Sequence, residues 1–340
     1  MQMEAYYYNH MSKVEQAVYH AMKTGFSEMA TSFLVPRMES KELAEVFFRM
    51  RLDCPEIFWA VGFSYRSYRD SGNLEIIPEY IFEKSKIKDH QKAMKSRVEK
   101  LSRQAASMNE KEKEQFIHDF ICQNVHYDKL KKAYSHEIIG PLGQGVGVCE
   151  GIAKTVKILC DALGIWCIIA ISEANPEKKI KYRHAWNIVR IDGKYYHLDA
   201  TFDNSLSDKE LIRYDYFNLD DSRLFRDHEP VIWKVPACGD GDHFYYKEKK
   251  ISFTKVEEVK KRALQAAKKG KPFIFHWRGG YLTKETLKEL LDALDEAAKE
   301  KGKYLRVSLN WPQAVLHAEF NEKLPEQAVV MEEANEGELL

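Results

Sequence analysis

Apolar positions change their period several times along this chain, and each change marks an element. Val14, Ala17, Val18, Ala21 and Met22 recur at helical spacing and predict a helix over 11–22. Ser40 stands as the N-cap of a second helix carrying Leu43, Val46, Phe47 and Met50. After Pro55 the pattern shortens. Residues 57–68 are rich in aromatics, Asp70-Ser71-Gly72-Asn73 is a turn cluster, and Leu74-Glu75-Ile76-Ile77 resumes as a strand, so a hairpin is expected. Residues 86–108 read as a long charged surface helix. Asn109 followed by Glu112 makes a capping-box pattern ahead of Phe116, Ile117, Phe120, Ile121 and Val125.

A polar loop is expected over 130–147. Behind it Ile152, Val156, Leu159, Cys160 and Leu163 keep helical spacing, and Gly164 stands where a C-terminal cap belongs. The near-continuous apolar run 165–171 predicts a buried strand, and 173–181 an exposed loop. Two β-type runs, 184–191 and 194–201, flank Asp192-Gly193, a strong hairpin signal. Residues 202–235 look irregular. Runs at 251–253, 256–267, 272–276, 284–299 and 305–309 then give β-α-β-α-β. The expected organisation is a helical and hairpin region (1–107), a core (108–235), a small α/β unit (236–324) and a disordered acidic tail (325–340).

Composition narrows the class. The 340 residues carry 52 basic and 52 acidic side chains, so no overall field recruits nucleic acid or a membrane surface. No apolar run is long enough for a spanning helix. The first residues lack the basic-then-apolar pattern of a signal peptide, which gives a cytoplasmic expectation for the chain as it stands. Six scattered cysteines form no CxxC pair, so neither a disulfide framework nor a zinc knuckle is expected. The sequence calls for no metal and no cofactor, and leaves the oligomeric state open.

One cysteine differs from the rest. In Gly143-Gln144-Gly145-Val146-Gly147-Val148-Cys149-Glu150-Gly151, Cys149 sits where a helix begins. Free backbone N–H groups and the positive end of the helix dipole stabilise a thiolate there. The glycines also invite a phosphate-loop reading, but no strand precedes them and no Gly-Lys-Ser/Thr ending follows. A nucleophilic thiolate needs a base and a group to orient that base. With a two-residue turn at Asp192-Gly193, His184 faces Thr201 and Trp186 faces Asp199. His184 and Asp199 become diagonal neighbours on one face, within reach of a carboxylate bond to Nδ1–H. Asp203 competes for the orienting role, and His126, His197, His228 and His243 read as structural or surface residues.

Gly147-Val148-Cys149-Glu150-Gly151, His184-Ala185-Trp186-Asn187 and Asp199-Ala200-Thr201-Phe202-Asp203 together resemble the transglutaminase-like superfamily. Its bacterial members read G-V-C-x-G, H-A-W-N and D-x-T-W-D, so Phe202 stands in place of a tryptophan. Val125-His126-Tyr127-Asp128 is similar to the family's V-x-Y-D segment. The resemblance covers about residues 108–204. It implies an α+β, papain-like core in which a cysteine-bearing helix packs on an antiparallel sheet. Cys149 would be nucleophile, His184 base and Asp199 orienter. It further implies attack on a peptide or protein carboxamide through an acyl-thioester, resolved by water or an amine. Gln144 is the candidate second oxyanion donor by analogy with papain-like enzymes, beside the Cys149 N–H. Trp186 and Tyr127 are candidate walls of the cleft. The alternative is a binding or assembly module that keeps the fold without turnover.

Overall fold

The computed structural model describes residues 5–208 and 211–323, and these form two compact units. One unit gathers the chain up to Ser172 with His184–Arg213 and Val231–Ala237. The other gathers Glu173–Arg183, Tyr214–Pro230 and the chain from Cys238 onward. The units therefore do not follow the order of the chain. The tail expected at 325–340 lies outside the described residues. No described helix is long and apolar enough to cross a membrane.

In the first unit, helix Lys13–Ser27 opens on a reciprocal Ser12–Glu15 capping box. Helix Ser40–Asp53 starts one residue earlier than expected. Glu39 is its extended N-cap and gives no side-chain bond, so Ser40 is the first helical residue. The hairpin of Ala60–Ser67 and Asn73–Tyr80 forms as expected, and the edge strand Phe33–Pro36 joins it beside Asn73–Tyr80. Four residues ending in proline show no period of their own, which hid this strand. Phe47 ties the sheet to the helices, its ring 5.0 Å from Phe26 and 5.2 Å from Phe63. The long helix Lys84–Ala105 buries only Ile87, Met94, Leu101 and Ala105, a narrow stripe under a charged face.

The core of this unit is the helix Cys149–Leu163, buried along Ile152, Val156, Leu159, Cys160 and Leu163 and closed by Gly164 at φ 79°. It packs on the fully buried strand Trp166–Ser172. That strand pairs antiparallel with His184–Ile191, which pairs antiparallel with Lys194–Leu198. Asp192 and Gly193 both take positive φ, 50° and 79°, which makes the tight two-residue turn and fixes the register. Asn187 pins the middle strand to the helix, its Nδ2 donating to the Ala153 carbonyl at 3.0 Å. This is a mixed α+β core with a cysteine helix on an antiparallel sheet.

Two stretches differ from expectation. The segment 130–147 is not a plain polar loop. It contains a 3-10 turn, Ala133–His136, and a π turn, Gly140–Gln144, and it buries Ile138, Ile139 and Leu142. Its end, Val146–Gly147, pairs in parallel with His126–Tyr127. The polar residues around Ile138 and Ile139 masked these anchors. The irregular stretch expected from 202 begins inside a helix, Ala200–Leu206, capped by Asp199.

The second unit holds the expected β-α-β-α-β run: Ser252–Phe253, Val256–Lys269, Phe273–Trp277, Lys284–Glu300 and Tyr304–Asn310. It adds one more strand, Val315–Asn321, which inserts between Phe273–Trp277 and Tyr304–Asn310 and pairs antiparallel with both. His317 and Glu319 interrupt the apolar pattern of that strand, so its sequence reads weakly. Val259, Ala263, Leu290 and Leu294 bring the two helices onto Phe275 and Leu316.

Candidate active site

Cys149 is the first helical residue, behind an extended Val148 that supplies no side-chain cap. The orphan N–H groups of the first turn and the dipole therefore face the region of the sulfur. Gly151 is needed for packing. A Cβ there would lie 2.1 Å from the Ser135 carbonyl oxygen, so only glycine lets the 133–136 turn lie against the helix. The Val148 N–H donates to that same carbonyl at 3.0 Å. Cys149 itself stays partly exposed.

A buried ion cluster holds this first turn. Glu150 Oε1 lies 2.8 Å from Lys154 Nζ and 3.3 Å from Arg51, and Oε2 lies 3.2 Å from His136 Nδ1. Lys154, fully buried, also reaches Glu137 at 2.8 Å, and Arg51 pairs with Glu137. Burial works against the Glu150 carboxylate, yet Lys154 and Arg51 hold its pKa well below the usual carboxylate range. The sequence reading missed this cluster. The i, i+4 pair Glu150–Lys154 was its visible part, whereas Arg51 and Glu137 stand 86 positions apart.

His184 opens the middle strand of the sheet. Its Nε2 lies 2.6 Å from Asp199 Oδ2. The register is the expected one, but the bond uses Nε2 and not Nδ1. Lys194–Leu198 stops before Asp199, which turns out of the strand to cap a helix. Asp199, with no exposed surface, uses Oδ1 to accept the N–H groups of Thr201 at 2.9 Å and Phe202 at 3.1 Å. The Cys149 side chain is a second hydrogen-bonding neighbour of the same ring. Burial disfavours the imidazolium, but the Asp199 carboxylate and the Cys149 side chain outweigh it and push the His184 pKa up to about 10. The ring stacks on Trp186, with centroids 5.8 Å apart and planes 20° apart, and meets the edge of Phe202 at 5.0 Å.

The remaining sequence candidates are distributed as follows. Trp186 is buried, 1% exposed, and its Nε1–H donates to His197 Nδ1 at 3.0 Å. Tyr127, 36% exposed, pairs with Gly147 two residues before the cysteine. Burial, then the neighbouring Cys149, Asp128 and Asp199, push its hydroxyl pKa up to about 12. Gln144 is exposed at the end of the π turn, followed by Gly145 at φ 67°. Asp203, the competitor of Asp199, is engaged elsewhere: its Oδ2 lies 3.0 Å from Nε2 of the buried His118.

Against known proteins, residues 97–200 match the family described as the Transglutaminase-like superfamily. No curated protein matches the chain. Among solved structures, the chain is similar to a transglutaminase, described as a TGase, at 14% identity and a TM-score of 0.27, covering 42% of this chain and 44% of that one. It is also similar to a candidate cysteine protease from Cytophaga hutchinsonii at 18% identity and a TM-score of 0.26, covering 42% of this chain and 62% of that one. The chain thus spans about half the length of the structures it matches. The matched span 97–200 takes in the cysteine helix, the strands Trp166–Ser172, His184–Ile191 and Lys194–Leu198, and Cys149, His184 and Asp199, and over this span the chain is similar to the transglutaminase-like superfamily.

Proposed function

We propose that this protein is a cysteine-dependent enzyme acting on peptide or protein carboxamides, with Cys149 as nucleophile, His184 as base and Asp199 as orienter. The observation that carries this reading is one imidazole bonded to Asp199 and to a partly exposed cysteine at an uncapped helix start. In this reading His184 takes the Cys149 thiol proton, and Sγ attacks the carboxamide carbon, forming the C–S bond as the C=O π pair moves to oxygen. The developing oxyanion is met by the Cys149 backbone N–H, with Gln144 as the second donor. The His184 proton passes to the leaving nitrogen, the C–N bond breaks, and ammonia or an amine departs. Water or an acceptor amine then gives a proton to His184, attacks the thioester and releases the Cys149 sulfur. Tyr127 flanks the thiol, and Trp186 backs the imidazole from the buried side.

The test is alkylation at pH 6 with iodoacetamide, mapped peptide by peptide. Cys149 is expected to react faster than a free thiol, and His184→Ala to remove most of that advantage. If Cys149 reacts like a free thiol, or the substitution changes nothing, the binding-module reading replaces the enzyme. Ammonia release from glutamine-containing peptides, with and without an added primary amine, then separates hydrolysis from acyl transfer.

A further inference from the structure

The second unit carries a feature that the thiol chemistry does not use. A cleft of about 630 Å³ opens on its surface, a volume within the range of small-molecule sites. Five cations line it from three separate segments: Lys247 and Lys250, then Lys261 and Arg262 on helix Val256–Lys269, and Arg278 after strand Phe273–Trp277. A single carboxylate, Glu258, shares the lining.

This positive excess is local. The whole chain balances 52 basic against 52 acidic residues, so the cleft is not one sample of a basic protein. Elsewhere in the same unit lysines take acidic partners: Lys260 with Glu296, Lys299 with Asp295 and Lys178 with Glu229. In the cleft, Lys247 takes the exposed Asp242 at 2.7 Å. Among the described residues no ion pair joins Lys250, Lys261 or Arg262 to a carboxylate, and Arg278 uses Nε on the Ser252 carbonyl at 3.4 Å. Five cations around one cleft outnumber the counter-charges Glu258 and Asp242, so the excess positive charge is self-repelling, and a bound anion relieves that repulsion.

The floor is built for the same field. Phe253 is buried there, and Ser252 Oγ lies 2.6 Å from Nδ1 of the buried His276. Burial first, and then Arg223, Arg226 and Arg278, push the His276 pKa down to about 3, so the imidazole is neutral and adds no charge.

We propose that this cleft binds an oligophosphate group, with Arg262 and Arg278 as forked donors and Lys250 and Lys261 as point charges around it. Guanidinium suits paired phosphate oxygens, and ammonium adds charge without fixed direction. The chemistry is shared by free oligophosphates and by the phosphate chain of a nucleotide.

Titration calorimetry on the full chain tests it with inorganic tripolyphosphate, ATP and adenosine. Tripolyphosphate is expected to bind, and Lys261→Ala/Arg262→Ala to weaken it by roughly tenfold or more. Both positions are exposed on a helix, where alanine is well tolerated. Lys260→Ala, on the same helix but paired with Glu296 outside the cleft, is expected to leave binding unchanged. Equal binding of ATP and tripolyphosphate assigns the site to free oligophosphate. Tighter ATP with no adenosine binding assigns it to a nucleotide. No tripolyphosphate binding, or an equal loss in Lys260→Ala, overturns the proposal.

Discussion

His184 and Asp199 share one short bond, Nε2 to Oδ2 at 2.6 Å, while the other oxygen of the same carboxylate caps a helix. A single aspartate thus fixes a ring and a helix start together. The His184 pKa is raised from an unfolded value of about 6.5 to about 10. Its contribution to stability is complete below the lower value and lost as pH rises through the higher one. Wild type is therefore expected to lose stability between about pH 6.5 and pH 10, beyond what other groups contribute. Asp199→Asn keeps a capping oxygen but not the charge, so most of that pH dependence should vanish. Urea unfolding across this range, compared between the two proteins, checks it. Parallel curves would refute the coupling.

Gly151 sets how closely the 133–136 turn approaches the cysteine helix. Gly151→Ala places a Cβ against a backbone carbonyl that no rotamer can move. A destabilisation of about 3 kcal/mol is expected, the range of overpacked sites. Gly72→Ala, which meets nothing within 4 Å, should change stability by less than about 0.5 kcal/mol. Equilibrium denaturation of both variants measures the contrast.

Much of this arrangement was legible because it is local. Asp192-Gly193 fixes a two-residue turn, and the turn fixes the register that brings His184 toward Asp199. Gly164 and the spacing of Ile152, Val156 and Leu159 define the cysteine helix. What escaped depends on distant partners or on exits from a pattern. The run expected to continue to 201 ends at Leu198, and Asp199 caps a helix while it meets Nε2 of His184 in place of Nδ1. Arg51 and Glu137 announce nothing in sequence, since each is unremarkable until the fold buries it. Val315–Asn321 was missed because its middle carries His317 and Glu319, which only a neighbouring strand on each side makes tolerable.

Asp199 and Asp203 lie four residues apart and each meets a histidine, yet they are expected to behave differently. Asp203 bonds His118, a ring with no exposed surface whose pKa is raised well above its ordinary value. Burial opposes that rise, while Cys122, Asp119 and Asp203 favour it. Asp203→Asn should lower stability by about 1–3 kcal/mol at neutral pH, the scale of a compromised buried bond. It should leave Cys149 alkylation unchanged. Asp199→Asn should slow alkylation. Mapping carboxamidomethylation rates in both variants tells them apart, and equal slowing would mean that the two aspartates act as one unit.

Lys154 is the sharpest test of the cluster behind Cys149, because it is buried between two carboxylates, each 2.8 Å from its nitrogen. Lys154→Met keeps most of the volume and removes the charge. Glu137 and Glu150 then share Arg51, with His136 beside Glu150 alone, and the buried carboxylates are left short of a partner. Breaking such a network costs ~3–5 kcal/mol. The sign of the pH dependence follows from Glu150. Its pKa is depressed in the folded state, so its contribution is present above about pH 4.3 and fades as pH falls further. In the variant that depression is weakened, and protonation relieves the unpaired carboxylates. The gap between wild type and Lys154→Met should thus be widest near neutrality and narrow toward pH 4. Urea unfolding at pH 7 and pH 4 reads both numbers. A gap that widens on acidification would show that Lys154 contributes packing and not charge.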